Sequence, residues 1–133
     1  MIVRNGKEVP QIREFLERTL KIKIADPVRV FGFTSDDGKR PLCAVAFNDY
    51  NGANIELTMV AQDLTRGVLR YLANYVFVVC GCRRLTVRAK RGNKASQKTA
   101  QRLGFSYESV AKYYFHDDDA IVYRMLKKDC RWL

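Results

Sequence analysis

The chain has 133 residues, of which 47% are hydrophobic, and its 24 Lys and Arg against 14 Asp and Glu give a net charge of +10 at pH 7. This length and apolar content indicate a single packed domain over residues 1–133 and exclude a disordered tail. No apolar run approaches the roughly 20 residues that cross a membrane, so no membrane partner is expected.

The N-terminus and the cysteines predict where the protein works. The first residues lack the apolar core of a signal peptide, which predicts a cytoplasmic protein with Cys43, Cys80, Cys82 and Cys130 as reduced thiols. Cys80 and Cys82 are too closely spaced for a zinc knuckle, and His116 is the only histidine. No metal site is therefore expected.

Apolar periodicity predicts three helices and six strands. In chain order they are helix 8–20, strands 28–33, 42–47 and 54–60, helix 64–79, strand 85–89, a helix from 93 or 94 to 103, and strands 106–114 and 120–127. This order predicts a mixed α/β (α+β) sheet covered by helices, with a parallel crossover between the third and fourth strands.

The stretch from Leu64 to Tyr107 carries the whole net charge, since it contains no acidic residue and ten basic ones. The ten are Arg66, Arg70, Arg83, Arg84, Arg88, Lys90, Arg91, Lys94, Lys98 and Arg102. A charge segregated in this way indicates an anionic partner close to one surface. The phosphates of a cofactor and the backbone of a nucleic acid both meet that requirement.

Short motifs between residues 75 and 133 carry the most specific signal. They are Tyr75-Val76-Phe77, Gly81-Cys82-Arg83-Arg84-Leu85, Asn93-Lys94-Ala95-Ser96, Leu103-Gly104-Phe105 and an ending in Cys130-Arg131-Trp132-Leu133. In this register they resemble the GCN5-related N-acetyltransferase (GNAT) superfamily, particularly its ribosomal-protein branch and its small bacteriophage-encoded members. The resemblance implies the GNAT fold, a mixed, mostly antiparallel sheet of six to seven strands flanked by helices, with a splayed parallel pair.

The resemblance also implies a cofactor, acetyl-CoA, and a place for it. In the family, acetyl-CoA lies where two parallel strands splay apart, and its pyrophosphate meets backbone N–H groups at the start of the next helix, here helix 64–79. The implied cofactor-binding residues are Met59, Val60, Thr65, Arg66, Gly67, Arg70, Asn93 and Ser96. Asn93 and Ser96 fit equally well as plain helix caps.

The expected phosphate loop departs from the family pattern. The family usually carries Arg/Gln-x-x-Gly-x-Gly/Ala before this helix, whereas the nearest match here, 62–67, has Thr65 in place of the first glycine. In the alternative register, fixed from Tyr75 backward, the glycine positions fall on Asp63 and Thr65. Asp63 could cap the helix and take the position of a phosphate. Arg66 and Arg70 would compensate by their charge.

Glu56 resembles the family's catalytic base in type and place. Strand alternation puts it on one face with Asn54 and Thr58, and a backbone N–H near Met59 or Val60 would stabilise the oxyanion. The alternative for Glu56 is a carboxylate that faces solvent.

The position of the family's general-acid tyrosine falls on Ala100. Tyr107, Tyr113 and Tyr114 are candidate substitutes that also fit a packing role. His116 and the three aspartates after it are expected to form a solvated hairpin tip.

Two functions from different classes follow. The first is an acetyl-CoA-dependent N-acetyltransferase that transfers an acetyl group directly to a protein or small-molecule amine. The second is a non-catalytic GNAT-fold binding protein with a nucleic acid or a host protein as its partner, because the basic residues exceed what one cofactor needs.

Overall fold

A seven-stranded mixed sheet organises the chain in the computed structural model, which describes all 133 residues. The strands are β1 (Ile2–Arg4), β2 (Val28–Thr34), β3 (Pro41–Asn48), β4 (Asn54–Ala61), β5 (Arg84–Lys90), β6 (Ser106–Ala111) and β7 (Ala120–Leu126). Their spatial order is β1-β2-β3-β4-β5-β7-β6. Every neighbouring pair is antiparallel except β4 and β5, which are parallel. The predicted mixed sheet with a parallel crossover is confirmed.

Helices cover both faces of this sheet. They are α1 (Val9–Leu20), α2 (Arg66–Asn74) and α3 (Lys94–Leu103), with a π-helical turn at Tyr75–Val79 and a 3-10 turn at Lys127–Asp129. None of them combines the length and the apolar character that crossing a membrane requires.

Alternation along the strands divides the core into two layers. On β3, Val45 and Phe47 belong to the larger cluster, which includes α2 and α3, whereas Ala44 and Ala46 pack with Leu16 of α1. The sheet therefore separates α1 from α2 and α3. The sheet thus has one face covered by α1 and another covered by α2 and α3.

The helix α2 is held to the sheet by an apolar stripe. Val68, Leu72 and Val76 recur every four residues and are all buried. Burial of each such side chain contributes about 1.5–3 kcal/mol. Tyr71 and Tyr75 add edge-on contacts to Phe31 and Phe33 of β2, which hold the end of α2 and the π-helical turn against the sheet.

The observed ends of α2 and β6 differ from the predicted ones for local reasons. The helix predicted at 64–79 begins at Arg66, because Thr65 Oγ1 accepts the hydrogen bond of the Val68 N–H at 3.2 Å and so caps it. The expected cap at Asp63 is wrong, since that carboxylate pairs with Arg40. The strand predicted to reach residue 114 ends at Ala111, and the chain then turns through a positive φ of 52° at Tyr113.

Candidate active site

The two parallel strands separate halfway along their length. β4 and β5 are paired from Asn54 and Arg84 as far as Leu57 and Val87. Beyond that point β4 pairs only with β3, and β5 pairs only with β7. The facing backbone edges of residues 58–60 and 88–90 therefore lose their ladder partner and border an opening in the sheet.

A cavity of about 390 Å³ fills this opening. On the α3 side its wall is apolar and includes Met59, Val87 and Phe105, followed by the first turn of α3. On the α1 side it is lined by residues at the end of α1, by polar side chains of β4 and β5, and by Tyr114 and Phe115. Residues from both faces of the sheet therefore line the cavity.

Glu56 lies at the inner end of the cavity, one residue before the strands separate. It is on the α1 face, and only 5% of the residue is exposed. The alternative of a solvent-facing carboxylate is therefore wrong. Glu56 Oε1 contacts Arg88 Nη1 across the opening, which forms an ion pair inside the cavity wall.

Arg88 is held by an aromatic ring as well as by Glu56. Its guanidinium carbon lies 4.6 Å from the centre of the Tyr114 ring, which is a cation–π geometry. Its side chain keeps 28% of its surface exposed, whereas the Glu56 side chain keeps 6%. The cation is thus the more accessible member of the pair.

Lys90 ties three segments together at the mouth of the cavity. Its Nζ donates to the Lys21 carbonyl at the end of α1 at 2.9 Å and pairs with Asp117 of the β6–β7 loop at 2.9 Å. The hydrogen bond from Lys90 is the main cause that lowers the pKa of Asp117 below its ordinary value. Lys90 therefore fixes the loop against α1.

The rest of the acidic loop is also partnered. Asp118 accepts from the Gly92 N–H at 2.8 Å, and Asp119 accepts from the Tyr113 N–H and pairs with Arg91 at 2.9 Å. The hydrogen bond from the Tyr113 N–H is the main cause that lowers the pKa of Asp119. The predicted exposure of the hairpin tip holds at His116 and Asp117, whereas the carboxylates of Asp118 and Asp119 clamp the loop to the turn between β5 and α3.

Asn93 and Ser96 lie at the start of α3 and line the cavity. Asn93 Oδ1 accepts from the Ser96 N–H at 3.1 Å, so the helix-cap alternative is confirmed for Asn93. The first-turn N–H groups of α3 carry the positive end of the helix dipole to the cavity edge.

The start of α2 forms a second, separate group. Thr65, Arg66, Gly67 and Arg70 are not among the cavity-lining residues, whereas Met59, Val60, Asn93 and Ser96 are. Arg66, Gly67 and Arg70 are exposed, and a Cβ on Gly67 would meet Met1 Sδ at 3.8 Å. The structure thus brings half of the implied cofactor-binding residues together in the cavity and puts the other half on the helix that follows β4.

The ten basic residues of the acid-free stretch divide into two sets. Four pair with carboxylates from outside the stretch, namely Arg84 with Glu108, Arg88 with Glu56, Lys90 with Asp117 and Arg91 with Asp119. The other six have no carboxylate partner and are Arg66, Arg70, Arg83, Lys94, Lys98 and Arg102. All six are exposed, and five of them lie on α2 and α3.

The positions considered for a general acid differ in whether they line the cavity. Ala100 is buried in the cavity wall, Tyr107 packs against Tyr123 at a centroid distance of 6.4 Å, and Tyr113 is 90% exposed. Tyr114 alone among the three candidate tyrosines lines the cavity.

The cysteines lie outside this chemistry. All four are free thiols, and burial raises the pKa of Cys43 to about 12. No group of three or more His, Cys, Asp or Glu side chains is arranged to hold a metal ion.

Two residues of the site were not identified from the sequence. They are Arg88, which pairs with Glu56, and Lys90, which anchors the β6–β7 loop. A signal was present, because Thr86, Arg88 and Lys90 alternate with apolar residues and so share the polar face of strand β5. Their partners come from other parts of the chain, and the alternation does not identify those.

Comparison with known proteins bears on the fold. No protein-family model matches the chain, and no curated protein matches it. Among solved structures, a mutant of spermidine N-acetyltransferase SpeG from Vibrio cholerae has a TM-score of 0.77 at 10% identity, over 100% of this chain and 98% of that one. The dodecameric form of the same enzyme in an intermediate state has a TM-score of 0.74 at 11% identity, over 96% of this chain and 94% of that one. This chain therefore has the GNAT fold of the acetyltransferases over its whole length.

Proposed function

We propose that this protein is an N-acetyltransferase that uses acetyl-CoA and acts on an amine by direct transfer. The observation that carries the proposal is the separation of β4 from β5 after Leu57 and Val87, which opens a cavity through the sheet. Direct transfer needs two reactants to meet at one point while entering from different directions, and a cavity lined from both faces of the sheet supports that arrangement.

The α3 side of the cavity suits a thioester arm. Its walls are apolar at Met59 and Phe105. Asn93, which caps α3, and Ser96 supply polar groups at its edge. A long, uncharged arm that ends in a thioester fits this combination of apolar wall and few polar groups. Backbone groups at Met59 and Val60, together with Asn93 and Ser96, would hold the arm.

The phosphates would lie at the start of α2. The residues there are Thr65, Arg66, Gly67 and Arg70, and the two arginines have no carboxylate partner. A helix start with free N–H groups and two unpaired guanidinium groups attracts anions. Thr65 stands where the family has a glycine, and its hydroxyl oxygen already caps the helix. The positive charge of Arg66 and Arg70 would compensate for the missing glycine in attracting the phosphates.

When bound, acetyl-CoA supplies an acetyl thioester: the amine nitrogen bonds to its carbonyl carbon, the carbon–sulfur bond breaks, and the amine's proton ends on the coenzyme A thiol. Glu56 is the group that takes a proton from an acceptor that arrives as an ammonium ion. Its buried position beside the opening supports this role. The ion pair with Arg88 fixes the position of this carboxylate in the cavity wall.

The proposal is tested by incubating the protein with acetyl-CoA and a panel of amines and measuring both free thiol and acetylated product. Stoichiometric release of the two is expected. Release of thiol without acetylated amine would indicate hydrolysis and would contradict the proposal.

A second candidate function is the binding of a polyanion such as nucleic acid. The six exposed basic residues without a carboxylate partner favour it, and Lys94, Lys98 and Arg102 recur every four residues along one face of α3. Oligonucleotide affinity measured at rising salt tests it, because phosphate contacts weaken steeply as ionic strength rises. Affinity that is absent, or that does not change with salt, would exclude this candidate.

A further inference from the structure

The α1 side of the cavity contains few ionisable groups. Lys23, Arg88 and Lys90 contribute positive charge to its wall, and Glu56 contributes the only carboxylate. On the proposed function the thioester arm enters from the α3 side, so the acceptor amine must enter from this side. The charges of this wall therefore act on the acceptor.

The carboxylates near this wall are already engaged. Glu56 is paired with Arg88, and Asp117 is paired with Lys90. Asp49 follows the lining residue Asn48 but is not itself part of the lining. A second ammonium group on an acceptor would therefore find no free carboxylate in the wall.

The cations, in contrast, keep capacity for a ligand. Lys23 is exposed and has no carboxylate partner, and Arg88 has five N–H donors, of which only those at Nη1 contact Glu56. In the lining itself three cations face one carboxylate, and two nearby carboxylates outside it, Asp117 and Glu17, are engaged by Lys90 and by the Ile24 N–H. An anionic group on the acceptor would meet both the excess charge and the unused donors.

We propose that the acceptor is an amine that carries a carboxylate or phosphate a few bonds from its nitrogen, and that Arg88 and Lys23 select it over polyamines. This inference rests on the proposed function and names its substrate class. Lys23 binds the acceptor in the ground state, so its effect falls mainly on KM, whereas Arg88 also holds Glu56, so that its replacement lowers kcat as well.

The test compares acceptors that differ only in their distal charge. An ω-amino acid and a diamine with the same three to five methylene groups have a similar reacting amine, and kcat/KM for acetyl transfer is measured for each. We expect the amino acid to be preferred at least tenfold. An equal rate, or a preference for the diamine, would overturn the inference and leave the proposed function standing.

Variants locate the source of the preference. Lys23→Gln, on an exposed residue, is expected to reduce the preference at least threefold through KM, and Arg88→Gln is expected to reduce it further. Arg84→Gln is the matched control, because Arg84 shares the strand face of Arg88 but pairs with Glu108 and does not line the cavity. An Arg84 variant that reduces the preference as much as the Lys23 variant would refute the assignment.

Binding gives a second readout that needs no turnover. The amino acid should raise the thermal midpoint of the protein more than the diamine does, and Lys23→Gln should remove that difference. Acetyl-CoA that binds while neither amine is acetylated overturns this inference. Failure of acetyl-CoA itself to bind overturns the proposed function instead.

Discussion

Replacing either member of the Glu56–Arg88 pair should destabilise the protein, and replacing both should cost less than the sum of the two single losses. The Glu56 side chain is 6% exposed and the Arg88 side chain 28% exposed, so removing Arg88 leaves the more deeply buried charge without a partner. Breaking a fully buried pair costs about 3–5 kcal/mol. We expect about 3 kcal/mol for Arg88→Gln and about 2 kcal/mol for Glu56→Gln, since Arg88 can still reach solvent.

The double variant Glu56→Gln/Arg88→Gln leaves two neutral amides that can hydrogen-bond to each other. Its cost should therefore be about 2 kcal/mol less than the sum of the single costs. Urea unfolding of the four proteins measures this coupling energy directly. The matched control is the pair of Arg84 and Glu108, whose side chains are each 33% exposed and which should couple by less than about 1 kcal/mol.

An additive cycle at Glu56 and Arg88 would refute the reasoning, because it would mean that the two charges do not interact in the folded protein. A larger cost for Glu56→Gln than for Arg88→Gln would also contradict it, since the argument assigns the greater burial to Glu56.

Three further predictions concern individual residues. Glu56→Gln should lower kcat by about 100-fold or more while acetyl-CoA affinity stays unchanged, and unaltered turnover would remove Glu56 as the proton acceptor. Asn93→Ala should lower the free energy of unfolding by about 1 kcal/mol, because it removes the cap of α3, and a Ser substitution should restore most of this in urea unfolding. The contacts by which Asp117 and Asp119 hold the β6–β7 loop should depend on pH, because the pKa values of both carboxyls lie below their ordinary value of 3.8. These contacts are complete above that pH and are lost as the pH falls through the lower folded values. An NMR titration of the Tyr113 N–H, which donates to Asp119, should show a midpoint below 3.8, and a higher midpoint would contradict the clamp.

The sequence identified the elements well because their patterns are local. Alternation on β4 correctly placed Glu56 with Asn54 and Thr58, and helical spacing found the buried stripe of α2. The three-residue strand β1 was not predicted, because three residues are too few to show a period. The end of β6 was predicted too late, because nothing in the local pattern requires the positive φ that Tyr113 adopts.

The charges were harder to interpret because their partners are distant in the chain. The acid-free stretch appeared to be one basic surface, but four of its cations neutralise carboxylates brought in by the fold. The Arg88 partnership depends on the parallel register of β4 with β5, in which Glu56 lies opposite Thr86. That register follows from tertiary packing and not from either strand alone.

The measurement that tests the central claim most directly is a calorimetric titration with acetyl-CoA. Saturable binding with a stoichiometry of one per chain is expected. Arg66→Glu, which puts a negative charge at the start of α2 where the phosphates would lie, should weaken it at least tenfold relative to the neutral control Arg66→Gln. No heat at high micromolar acetyl-CoA, or equal affinity in the two variants, would contradict the proposed acetyl-CoA site.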